Sequence, residues 1–326
     1  MRDRYAPIAL TAAVTGGDVF ASQSPHIPKG VEEIVAAAIG AAAAGASCVH
    51  VHAREPVTGE PTGSGELVAE IVAGIRAQCD VVISVTTGGA PGMSVDERFA
   101  GVVAARPEIA TFNLGTMNYE GHPTRERWPH VEHEWEREAL DASGEVVVFN
   151  TLGTLRRLAG ICRELHITPE LEVYDLGHLS MARFLLDEGT LEPPVRVQFV
   201  LGVLGGAGNS LDELFLLAQA AQRILGADAG AVGVAATGFP MEFRHCAVAL
   251  SWGMDCRVGL EDSLRVRRER RAATNAELVE VVIGLADALA RPILTPSALR
   301  ASLGPWFAPA AGDDERSAAA AAVSDA

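Results

Sequence analysis

The amino-acid sequence predicts an α/β fold: one (β/α)8 TIM barrel with a small polar insertion and a disordered C-terminal tail. Three observations predict it. Short β-rich apolar runs alternate with longer helical stretches, and repeated strand-then-helix units imply a parallel sheet. About eight such units in a chain of this length suit a closed barrel better than an open doubly wound sheet. Aromatic residues make up only 5% of the 326 residues while glycine supplies 33, which favours small-residue helices packed closely on a sheet.

The strand candidates, in order, are IALTAAV (8–14), CVHVHA (48–53), VVISVT (81–86), IATFNL (109–114), VVVFN (146–150), LEVYD (171–175), VRVQFV (195–200), AVGVAA (231–236) and CRVGL (256–260). These nine are one more than a barrel needs. VVVFN is the one to set aside, because the segment before it, YEGHPTRERWPHVEHEWEREALDASG, is polar with weak helical periodicity. That stretch reads as an insertion with a small hairpin. Helix starts are marked by capping-box spacing at Ser94 with Glu97, Ser210 with Glu213 and Thr274 with Glu277. Thr295-Pro296 reads as N-cap plus first helical residue. The barrel domain, with its C-terminal helices, is expected over 1–307. The remainder, 308–326, is Ala-rich and low in complexity, and is expected to be disordered.

Composition excludes several function classes. The formal net charge is −16, which argues against nucleic acid as a partner, since phosphate binding needs a basic surface. The five cysteines are odd in number and lack CxxC spacing, as expected of free thiols in a reducing cytoplasm. The opening MRDRYAPIALTAAVTGG reads as a first strand rather than a signal peptide. The Ala-rich run at 36–46 is too short to span a bilayer, so no membrane association is expected.

In such a barrel the chemistry lies where strands end and βα loops begin. CVHVHAREP, 48–56, spends His50 and His52 in an apolar run, and side chains at i and i+2 of a strand share a face. Two imidazoles on one face suit a divalent metal; the alternative is two core histidines bonded to neighbours. A catalytic metal usually has three protein ligands, and Glu261 in CRVGLED is the third candidate. Along that strand Arg257, Gly259 and Glu261 share one face, and Arg257 and Glu261 pairing with each other at the rim is the competing reading. Elsewhere, TTGG (86–89) offers hydroxyls and glycine amides to an anion. VTGGD places Asp18 at the same barrel end, and TFNLGTMN adds Thr111, Asn113 and Asn118. GVLGGAGN (202–209) feeds a helix start at Ser210 but lacks the spacing of a dinucleotide or Walker loop. His178 is read as either lining the pocket or bonding within its loop. His122, His130 and His133 fall in the charged insertion and are expected to face solvent.

In order along the chain, LTAAVTGGD, SPHIPKGVEEI, AGASCVHVHAREPVTGEPT, TTGG, NLGTMN, ELEVYDLGHL, CRVGLED and ARPILTPSALRASLG together resemble the β-keto acid cleavage enzymes over roughly residues 6–304. The resemblance implies a zinc-bearing barrel assembled as a homotetramer. It implies exchange between a β-keto acid and acetyl-CoA, giving acetoacetate and a new acyl-CoA. By the same resemblance His50, His52 and Glu261 would hold zinc, and Arg257 and Asp262 would form the catalytic pair. Thr86 stands where the family has serine and Asp18 where it has glutamate, as further catalytic positions. Gly88, Gly89, Thr111 and Asn113 match positions expected to hold the substrate carboxylate. Asp262 is the expected base, removing a proton from the acetyl methyl, although Arg257 beside it would weaken it as one. Glu242, Arg244 and His245, in TGFPMEFRHCAVALSWGMD, would set specificity or face a subunit interface. Phe20, Tyr119 and Trp252 are core residues or an aromatic surface for a cationic tail. The alternative function is a zinc-dependent barrel hydrolase that does not use CoA.

Overall fold

Eight of the nine expected strands close into a parallel barrel in a computed structural model that describes residues 5–89, 93–122 and 130–308. They are β1 (Leu10–Ala13), β2 (Cys48–Val51), β3 (Val82–Val85), β4 (Ile109–Asn113), β5 (Thr168–Val173), β6 (Val195–Leu201), β7 (Ala229–Ala236) and β8 (Asp255–Val258). Each pairs with the next, and β8 returns to β1 through Thr11 opposite Arg257. The covering helices are α1 (Val31–Ala43), α2 (Gly65–Arg76), α3 (Val95–Ala105), α4 (Leu152–Leu165), α5 (Leu176–Asp187), α6 (Leu211–Ile224), α7 (Met241–Trp252) and α8 (Asn275–Ala288). Ser94 and Ser210 make complete capping boxes. The third box is half-made: Thr274 caps Glu277, whose carboxylate instead accepts from Ala273 N and Arg270.

The demoted strand is outside the barrel, as its polar flank predicts. Val147–Val148 pairs antiparallel with Met117–Asn118, and between them runs a helix, Glu134–Ala142. The buried carboxylate of Glu136 accepts from Ser22 N, Glu132 N and His133 N. That clamp ties the insertion to the loop after β1. The fifth strand begins earlier than the apolar run suggests, because Pro169 and Glu170 disguise its start.

Glu170 and Glu172 on that strand show that the barrel interior is ionic. Arg196 on β6 reaches Glu170 at 3.5 Å and, past β7, Asp255 at 3.0 Å. Gly233 on β7 lies beside Asp255 and leaves this crossing open. The apolar face of the strands packs outward on the helices. Below, Leu299 and Leu303 close the barrel floor against Ala9, Cys48, Val82 and Ile109. Among the described residues no helix is long and apolar enough to cross a membrane. The low-complexity tail, apart from residue 308, lies outside the described residues.

Candidate active site

The upper end of β2 carries the two imidazoles. His50 is buried and stands opposite Ser84 of β3, whose hydroxyl is 3.0 Å from Nδ1. A proton on Nδ1, donated to Ser84, leaves the Nε2 lone pair free. Burial holds the His50 imidazole down at about 3, so it is neutral at physiological pH. His52 is the first residue after the strand, and its Nε2 lies 3.1 Å from that of His50.

Glu261 arrives differently from the alternation expected. β8 ends at Val258, and the chain turns over at Gly259, where a Cβ would overlap the Ala13 carbonyl. Glu261 N donates to Ala13 O, while Asp262 N and Ser263 N both donate to Gly259 O. Glu261 therefore reaches the site from a turn and not from the strand face shared with Arg257. Its Oε2 is 3.5 Å from His52 Nε2 and 3.8 Å from His50 Nε2. That oxygen is buried and accepts no hydrogen bond.

Two imidazole nitrogens and one partnerless carboxylate oxygen thus converge within 4.8 Å of one another. Ligands on a tetrahedral zinc, each at about 2.0–2.2 Å from the ion, stand about 3.3–3.6 Å apart. The donor set and spacing fit such an ion, and three protein ligands leave a position for substrate.

Arg257 organises the acid side. Its Nε and Nη2 donate to both Asp262 oxygens at 2.9 and 2.6 Å, and Nη2 also reaches Glu261 Oε1 at 3.1 Å. The Arg257–Glu261 pairing weighed from sequence is therefore present, through one oxygen, while the other faces the imidazoles. Burial alone would raise the Glu261 carboxyl, but Arg257 and both imidazoles overcome it and hold it well below the usual carboxylate range. For Asp262, burial wins over Arg257 and raises the carboxyl. Across the barrel, Glu172 lies 3.9 Å from Arg257 and accepts from Tyr174 Oη; burial pushes its carboxyl up to about 7.

The glycines of VTGGD serve close packing. A Cβ on Gly16, at φ +69°, would sit 2.5 Å from Glu261 Cγ, and one on Gly17 would touch the His52 ring. Arg54 holds this loop down. Its buried guanidinium donates to the carbonyls of Gly59, Thr15, Gly16 and Val19. In the sequence Arg54 shows only as an arginine two residues past His52 at the end of an apolar run.

Asp18 and Thr86 are not joined by a hydrogen bond. Asp18 accepts from the Tyr119 hydroxyl, and Thr86 Oγ1 accepts from Gly88 N. Thr111 straps β4 to the TTGG loop, accepting from Thr87 N while its carbonyl accepts from Thr87 Oγ1. Gly88 and Gly89 are exposed, and Asn113 keeps a buried, partnerless Oδ1. Arg98 lies against Gly89 and ties this loop to the insertion through Thr87 O, Phe149 O and Asn150.

Other singled-out residues lie apart. His178 accepts from Tyr174 N and packs on Gly115. His122 does not simply face solvent: it stacks on Phe20, which also meets Trp135. Trp252 packs on Phe215 at the outer helices, so Phe20, Tyr119 and Trp252 form no common surface. Arg244 is exposed, whereas Glu242 and His245 are fully buried, and Glu242 accepts from Gly259 N under the turn that carries Glu261. In the loop before α6, Glu213 takes the amides of Gly208 and Ser210.

Comparison with known proteins supplies the chain's relatives. A family profile described as "beta-keto acid cleavage enzyme" matches residues 7–304. The chain is 34% identical over 298 residues to the 3,5-dioxohexanoate:acetyl-CoA acetone transferase of Paraburkholderia graminis, covering 91% of this chain and 95% of that one. It is 32% identical over 316 residues to the 3-dehydrocarnitine:acetyl-CoA trimethylamine transferase of Rhizobium meliloti, covering 91% and 96%. It is 33% identical over 298 residues to the 3-keto-5-aminohexanoate cleavage enzyme of Acetoanaerobium sticklandii, covering 91% and 98%. Among solved structures, the apo structure of ObcA shares the fold, with a TM-score of 0.66 at 20% identity over 86% of this chain and 66% of that one.

Proposed function

This chain belongs to the beta-keto acid cleavage enzyme family, and from that premise we propose that it is a zinc-dependent transferase exchanging acyl groups between a β-keto acid and acetyl-CoA. The observation that carries the reading is the partnerless Glu261 Oε2 facing two imidazole nitrogens, with the Arg257–Asp262 pair alongside. The names of two relatives above support acetyl-CoA as co-substrate.

Atom balance decides where the proton leaves. Acetoacetate contains the acetyl carbons of the thioester and the C2 and carboxylate carbons of the β-keto acid. The deprotonated carbon is therefore C2 of the β-keto acid, not the acetyl methyl expected above. C2 bonds to the thioester carbonyl and CoA thiolate leaves. The thiolate then attacks the original ketone, the C2–C3 bond breaks, and C2 recovers a proton. Asp262 is the base for the first step, and its raised affinity for the proton suits that role. Arg257 keeps the Asp262 carboxylate aimed and neutralises charge near the thioester oxygen. A bound zinc would be held by His50, His52 and Glu261 and would stabilise negative charge on the ketone oxygen. The amide of Gly89, with Thr86, Thr111 and Asn113, would hold the substrate carboxylate, while the Gly88 amide positions the Thr86 hydroxyl. Asp18, held by the Tyr119 hydroxyl, would be a further catalytic position. The same reading makes the protein a cytoplasmic homotetramer with residues 1–307 as one domain.

The test is a panel of β-keto acids given to the zinc-loaded protein with and without acetyl-CoA. Acetoacetate forming only with acetyl-CoA is expected. Turnover of the same acids without CoA would instead establish a hydrolase.

A further inference from the structure

The connection from β8 to α8 carries more than Glu261 and Asp262. Three positions after Asp262 it forms an antiparallel hairpin, Arg265–Arg267 with Arg270–Arg271. Five of the seven residues 265–271 are arginine, in a chain with 42 acidic and only 26 basic residues. All five are exposed, and only Val266 is buried. The register sets Arg265 opposite Arg271 and Arg267 opposite Arg270. Like charges directly opposite across a strand pair repel, so this pattern works against the hairpin's own stability.

Internal partners neutralise part of this charge. Arg270 meets Glu277 at 2.7 Å, and Arg265 closes the turn on the Arg268 carbonyl. Among the described residues the acidic partner of Arg268 is its neighbour Glu269 at 3.6 Å, a solvent-exposed pair of little energetic worth. Arg267 and Arg271 have no acidic partner among the described residues. An arrangement that breaks a local rule without a folded-state gain marks a functional position.

We propose that this hairpin binds the phosphate groups at the nucleotide end of coenzyme A, an inference that rests on the acetyl-CoA reading above. The thioester must reach Arg257 and Asp262, while the pantetheine arm carries the 3′-phosphate and diphosphate of the adenosine end outward to the mouth. The hairpin belongs to the connection from β8 to α8, the same one that bears the acid pair. Guanidinium forks match phosphate oxygens. On a molecule of net charge −16, a polyanionic co-substrate needs a local basic field to approach.

Calorimetry of CoA and of adenosine 3′,5′-bisphosphate with the full chain tests the inference. R267E/R271E is expected to weaken both at least tenfold, whereas R156E/R223E, the same charge change on outer helices, shifts them less than twofold. In turnover, the parent's preference for acetyl-CoA over S-acetylpantetheine should collapse in R267E/R271E, with circular dichroism showing an intact fold. Unchanged CoA affinity in that variant overturns the inference. So does an equal loss with S-acetylpantetheine, or parent affinity for a single-stranded oligonucleotide equal to that for CoA. CoA binding that depends on the hairpin, together with no acetyl-CoA-dependent turnover of any β-keto acid, would remove the transferase reading and leave the hairpin site standing.

Discussion

Asp262 accepts from two nitrogens of Arg257, an arrangement that in water would make it a poor base. Inside the barrel the carboxylate loses more hydration than the guanidinium returns, and its proton affinity rises. Glu261, four residues from the same arginine, goes the other way because two imidazoles join the pull. In the proposed mechanism these two adjacent acids separate into a proton acceptor and a ligand. Asp262→Asn should keep bound zinc and lower kcat by about 10²–10⁴-fold; elemental analysis with steady-state kinetics checks it, and full activity would exclude Asp262 as the base. Glu261→Gln should lose zinc at a chelator concentration the parent withstands. Retention of a full equivalent would remove Glu261 from the ligand set. Both histidines were legible from their spacing in an apolar run. The Ser84 partner of His50 was not, because register between strands is set by the closed sheet.

At the scale of elements, the loops do the assembling. The loop after β1 owes its Gly-Gly to the approach of Glu261 and His52, and Arg54 and Glu136 pin it from either side. Gly16→Ala forces a Cβ onto Glu261 at a backbone conformation that L-residues disfavour. Zinc affinity is expected to fall about 10–100-fold. Gly40→Ala, inside α1 with open space around it, should instead stabilise by about 0.5–1 kcal/mol. Metal titration and urea unfolding of the two variants check the pair, and equal zinc affinity for Gly16→Ala and the parent would remove the packing argument. Strand order and helix starts were legible because alternation and caps are local signals. β5 was blurred at its start, since Glu170 answers to Arg196 on another strand.

At the scale of the whole molecule, the barrel leaves large apolar side chains open on its outer helices: Phe184 on α5 is 46% exposed and Leu216 on α6 54%. A second copy covering these helices would bury them, in keeping with the proposed homotetramer. Light scattering is expected to give a native mass about four times 34.2 kDa and a smaller one for Leu216→Glu; a monomer at working concentration would remove the tetramer. By itself the sequence determined the eight-strand order, the extra-barrel hairpin, the paired imidazoles and the acidic balance. Each of these is written in neighbouring residues, through period-two alternation, turn and cap chemistry, or composition. Only the tertiary structure decided that Glu261 enters from a turn, that the barrel interior is ionic, that Asp18 answers to Tyr119 rather than Thr86, and that Arg54 anchors the site. Those outcomes join residues up to a hundred or more positions apart, and burial, which sets the sign of each carboxylate's shift, exists only once the barrel has closed.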